Sequence, residues 1–184
     1  MRRRISRIAV LLCACAALCA TAAGSGEAAA SARQPRLAGL FSMNGLITYA
    51  LSIPGEHAGQ HVSRRWVFAP GCATGACAKV KLTRGRGVGL PRVTVELVRR
   101  SPGYYVANGV FYAPLRCNGQ IYRPGERVHY TVAVRVTATE MINGKLVVSA
   151  IRASYTSGLR DNLTPCVGLL GQADAARYTG VLTP

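Results

Sequence analysis

The sequence is poor in acid. Its 184 residues hold seven Asp and Glu against 23 Lys and Arg, a formal charge of +16 at pH 7 with histidine neutral. So few carboxylates leave little material for paired-carboxylate catalysis or for oxygen-ligated cation sites. In the main body Glu96, Glu126, Glu140, Asp161 and Asp174 are scattered, and each reads as a turn or solvated-face residue. Histidine is scarce too, with three residues. His57 and His61 lie four apart in or beside a loop rather than on a helix, and a metal site needs a third ligand that Glu56 would supply only by coincidence. His129 sits on the polar face of a strand and reads as a surface residue. Neither G-x-S-x-G nor H-E-x-x-H occurs. The glycine-rich stretch Gly85-Arg86-Gly87-Val88-Gly89 lacks the G-K-[ST] ending and following helix of a phosphate-binding loop, so it reads as a hairpin loop. The expectation is a non-enzyme with no catalytic residue, no metal and no cofactor. Beyond the N-terminus no apolar run is long enough to span a bilayer as a helix. Helical periodicity is nearly absent, with room for one helical turn at 174–178.

What is present begins with an address. Arg2, Arg3, Arg4 and Arg7 precede an apolar run over 8–23. Small-residue sites follow at Ala20-Thr21-Ala22, Ala28-Ala29-Ala30 and Ala30-Ser31-Ala32. This is the layout of a secretory signal peptide, so residues 1–32 read as leader, 33–44 as a linker and 45–184 as one domain. Leu12-Cys13-Ala14-Cys15 fits a lipidation box loosely, which leaves lipidation at Cys15 as an alternative. The expected location is secreted or associated with the cell envelope. Of seven cysteines, Cys13, Cys15 and Cys19 lie in the leader. Cys72, Cys77, Cys117 and Cys166 remain, an even number in an oxidising compartment, which points to two disulfides.

The main body is written in period two. Residues 46–53, 62–68, 78–83, 92–98, 104–112, 115–122, 128–139, 146–155 and 178–182 read as strands. They are separated by turn signals such as Pro54-Gly55, Pro102-Gly103, a turn at 123–126, and Asn143-Gly144. The clearest strand sets Val128, Tyr130, Val132 and Val134 against His129, Thr131 and Arg135. A bulge is expected at Asn108-Gly109. About eight strands joined by short turns favour an all-β antiparallel meander that closes into a barrel or packs as a flattened sandwich.

The most distinctive stretch runs from Trp66 through Phe68, Pro70, Cys72 and Gly75 to Cys77. Four residues between the cysteines suit facing positions on a hairpin, whose Cα separation is within disulfide reach. Three pairings are possible in principle, and Cys72–Cys77 with Cys117–Cys166 is the expected one. The pattern W-x-F-x-P-x-C-x-x-G-x-C, with the alternating basic strand that follows it, resembles a group of uncharacterised secreted proteins of high-GC Gram-positive bacteria. The resemblance covers roughly residue 45 to the C-terminus. It implies a secreted β-structure, calycin-like if a barrel, and transfers no catalytic residue.

Two functions follow as expectations. In the first, the barrel holds a small apolar or amphipathic ligand, with Tyr104, Tyr105, Phe111, Tyr112 and Tyr130 as lining. In the second, Lys79, Lys81, Arg84, Arg86 and Arg92 make a basic hairpin face for an anionic envelope polymer or lipid headgroups. Arg99 and Arg100 add to that hairpin, and Glu96 alone opposes it. No recognised nucleic-acid-binding module is present.

Overall fold

Alternation of inward apolar and outward polar side chains produces nine strands in the computed structural model, which describes residues 34–85, 91–158, 160–166 and 172–184. They are β1 (Gly39–Leu51), β2 (His61–Pro70), β3 (Lys79–Arg84), β4 (Val93–Ser101), β5 (Tyr104–Cys117), β6 (Gln120–Ile142), β7 (Lys145–Ser157), β8 (Asp161–Asn162) and β9 (Ala173–Leu182). The expected leader, Cys15 and Arg86 lie outside the described residues. Every strand pairing is antiparallel. β1 to β7 follow one another around the sheet, β9 lies between β7 and β1, and the two-residue β8 adds to β6. Eight strands thus form a closed ring, which leaves them no long unpaired edge.

The ring interior is filled. Phe41, Trp66, Phe68, Leu82, Leu97, Val128 and Val132 are each no more than 2% exposed. Phe41 and Phe68 meet edge to face at 5.2 Å. Burying each such side chain is worth about 1.5–3 kcal/mol, an upper-range figure because unfolded chains are already partly collapsed.

Both disulfides join the expected partners, Cys72 to Cys77 and Cys117 to Cys166, with Cα separations of 5.5 and 5.9 Å. The first clamps the β2–β3 loop. That loop closes one end of the ring together with residues 34–37, where Arg36 donates to the Cys72 carbonyl at 2.8 Å and Arg99 donates to Gln34 Oε1 at 2.8 Å. The second ties the tip of the β5–β6 hairpin to the segment after β8. The turn at that tip is Asn118-Gly119, with φ of 48° and 79°. An asparagine followed by a glycine accepts such angles at low cost.

Four expectations need correction. The stretch read as linker holds the start of β1, with Leu37, Phe41 and Met43 all at most 1% exposed. Small and polar neighbours (Ser42, Asn44, Gly45) disguise an ordinary alternating strand there. Residues 174–178 are part of β9, not a helical turn. Residues 123–126 lie inside β6, and the irregularity falls across from Pro124, between Ala113 and Leu115 of β5. Asn108-Gly109 carries no bulge. Gly109 is paired with Tyr130, whose ring crosses it so closely that a Cβ at Gly109 would sit 2.5 Å from the ring. Gly45 likewise makes room for Tyr178.

Candidate functional site

The end of the ring opposite the Cys72–Cys77 loop is polar, and its chemistry centres on Arg84. On β3, Val80 and Leu82 point inward, and Arg84 shares their parity. It therefore enters the ring and is 5% exposed. Register places it opposite Trp66 on β2. Its guanidinium carbon lies 4.5 Å from the ring centre of Tyr130 and 4.5 Å from that of Tyr155. Those rings are 5.8 Å apart, so the cation sits in the notch between them. Phe111 beside Tyr130, and Trp66 beside Tyr178, continue an aromatic collar at this level.

Taking a guanidinium out of water costs several kcal/mol unless it is paired. Two aromatic faces return up to about 2 kcal/mol each when desolvated. The aromatic contacts leave the hydrogen-bond donors unused. Among the described residues, Nε and Nη2 of Arg84 have no acceptor, and the buried Tyr130 hydroxyl has no partner either.

A second arginine stands nearby in the opposite condition. Arg160 donates to Glu126 and, at 3.1 Å, to Asp174 Oδ1. Glu126 is 3% exposed. Asp174 is also held by the Ser157 hydroxyl. Burial pulls the Arg160 pKa down, but the two carboxylates outweigh it and keep the guanidinium above its ordinary range. Arg160 is therefore neutralised, whereas Arg84 is not.

Burial, with a smaller contribution from Asp174, pushes the Tyr155 phenol up to about 12. Burial also raises Tyr178. Both tyrosines stay protonated at neutral pH, and Tyr155 presents an uncharged aromatic face to Arg84.

Arg84, Arg160 and Asp174 border a cavity of about 150 Å³ that opens at this end of the ring. Its other walls are apolar or aromatic, chiefly Ile47, Phe111 and Tyr178, with Arg64 and Glu56 at the rim. The volume is below the roughly 300–1,000 Å³ of sites for drug-sized ligands, yet far above the roughly 10–15 Å³ a single water needs. It suits a molecule of a few heavy atoms with an acceptor group for Arg84.

The expected basic hairpin face is dispersed. Arg84 points into the ring rather than to solvent. Lys79 is paired with Glu96 at 2.7 Å. Lys81 and Arg92 are exposed on the outer face, and Arg86 lies outside the described residues. Arg99 is half-buried and turned toward Gln34 and the Ala76 carbonyl. The aromatic lining divides in the same way. Tyr105, Phe111 and Tyr130 are buried inside, while Tyr112 is 55% exposed. Tyr104 is half-buried, with the Arg135 guanidinium 4.8 Å over its ring. Of the histidines, His129 lies 3.3 Å from Asp161 on the surface, and His57 and His61 are exposed.

Glu126, Ser157 and Asp174 were open to detection in the sequence. Each continues the inward parity of its strand past the last apolar residue: Glu126 before Val128 and Tyr130, Ser157 after Tyr155, and Asp174 before Ala176 and Tyr178. Arg160 gave no such signal, because it lies outside any periodic segment. No protein-family model, curated protein or solved structure matches the chain.

Proposed function

We propose that the protein is an exported, non-enzymatic binding protein that holds a small amphipathic carboxylate at the open end of its ring. The anionic group meets Arg84, and a short apolar body rests against Ile47, Phe111 and Tyr178. The observation that carries this reading is the buried guanidinium with two donors unmet beside a cavity. A buried cation with unmet hydrogen-bond donors is a standing cost, and a carboxylate accepting from the guanidinium reduces it. Arg160, already saturated by Glu126 and Asp174, fixes the wall without competing for the ligand.

The filled interior argues for a smaller ligand than a long-chain lipid. Export rests on the leader pattern of residues 1–32 and agrees with two disulfides.

Titration calorimetry with butyrate and benzoate, and with inorganic phosphate for comparison, tests the reading. Saturable binding of a carboxylate is expected, weakened at least about thirtyfold by Arg84→Met, since truncating one partner of a buried charged contact costs about 2 kcal/mol or more. Unchanged affinity in a folded Arg84→Met variant would overturn it.

A further inference from the structure

The outer face of the sheet carries a second feature, independent of the cavity. Arg135 on β6, Arg152 on β7 and Arg177 on β9 all point outward on three successive strands. Arg135 and Arg152 are direct cross-strand partners. Arg177 is opposite Ser154, two residues along β7 from Arg152. Like charges placed directly opposite on a sheet destabilise it. Among the described residues no carboxylate forms an ion pair with any of the three. They line one groove of about 820 Å³, which also takes in Leu46, His61 and Tyr104.

We propose that this groove seats a linear polymer of phosphodiesters joined by short polyol spacers. Neighbouring strands are about 4.8 Å apart and diagonal neighbours about 7–8 Å. The three arginines are therefore rooted about one strand spacing or one diagonal apart, and their long side chains can reach successive phosphates separated by a small uncharged unit. All three are arginines, whose forked donors match phosphate oxygens in pairs, which a lysine's point charge does not.

A single-stranded nucleic acid is disfavoured by the same geometry. Binding it without sequence preference relies on aromatic faces on which bases stack. Tyr104, an aromatic ring set among these arginines, is already covered by Arg135 at 4.8 Å. That contact also holds the Arg135 guanidinium in place with its edge donors free for an anion.

The test uses purified mature protein and poly(glycerol phosphate), with glycerol phosphate monomer and single-stranded DNA as comparators. The polymer should bind, with log affinity falling against log salt at a slope of about −2 for three neutralised phosphates. Arg135→Gln/Arg152→Gln/Arg177→Gln should lose at least tenfold in affinity and melt no lower than the parent. Lys79→Gln/Lys81→Gln/Arg92→Gln should bind within twofold of the parent, as should Arg84→Met, which separates this surface from the cavity. Equal loss in the hairpin variant would reduce the effect to net charge and overturn the proposal. So would DNA or the monomer binding as tightly as the polymer.

Discussion

Replacing Arg160 by methionine removes the cation that buried Glu126 and part-buried Asp174 share. The side chains of Arg160 and Glu126 are 9% and 4% exposed. Glu126 would lose the cation it pairs with, and the Asp174 carboxylate would keep, among the described residues, the Ser157 hydroxyl. Breaking a buried pair from one side costs about 3–5 kcal/mol, because the remaining charge is uncompensated. For a domain of this size each kcal/mol lowers Tm by roughly 2–4 °C, so a fall of about 6–20 °C is expected. Urea unfolding followed by circular dichroism gives the free energy, and the midpoint should move with little change in slope. The decisive variant is the double replacement Glu126→Gln/Arg160→Met. It removes the orphaned charge as well as its partner, so it should be more stable than Arg160→Met alone by at least about 1 kcal/mol. If Arg160→Met costs less than about 1 kcal/mol, or if the two replacements simply add, the buried ion network does not organise this end of the ring.

Tyr155 has a folded pKa of about 12 against 10 for the free phenol. The folded state therefore retains a proton that the unfolded state releases, and the stability this confers is complete below pH 10 and lost as pH rises from 10 toward 12. The loss amounts to about 2–3 kcal/mol for this group, and Tyr155→Phe should flatten that limb of the stability profile measured by urea unfolding at several pH values. The two disulfides should contribute unequally. In the loop-entropy description, closing the 49-residue separation of Cys117–Cys166 is worth about 4 kcal/mol and the five-residue separation of Cys72–Cys77 about 2 kcal/mol. Paired Cys→Ser variants compared by thermal melting should rank in that order, and the reverse order would count against unfolded-chain entropy as the main effect.

Period two made most of the ring legible in the sequence. β3, β4, β6 and β7 each show it over six or more residues, and the turn at Asn143-Gly144 fixed one hairpin. It was obscured where the inward residue is glycine or the outward one is small, as along β1, where Gly45 yields its space to the Tyr178 ring. The first half of β9 was hidden by Ala173, Ala175 and Ala176, which have weak strand preference on their own and are held by pairing with both β1 and β7. Closure was legible only as a class, since placing β9 between β1 and β7 depends on pairings distant in sequence. Arg84 shows the opposite failure. Its parity with Val80 and Leu82 marks an inward side chain, whereas its charge points to the solvent. Arg135, Arg152 and Arg177 lie far apart in the chain, and only the order of strands brings them onto one groove.

The proposed ligand site depends on Arg84 as the contact for an anion. Its Nε–H resonance in nitrogen-15 spectra, assigned by comparison with Arg84→Met, reports that contact directly while butyrate is titrated in. A carboxylate accepting from Nε should move this one resonance saturably, with the same midpoint as the calorimetric binding, and leave the Nε–H signals of Arg135 and Arg152 in place. An Arg84 signal that stays fixed while butyrate binds, or that shifts only in step with the surface arginines, would contradict the assignment of this cavity as the ligand site.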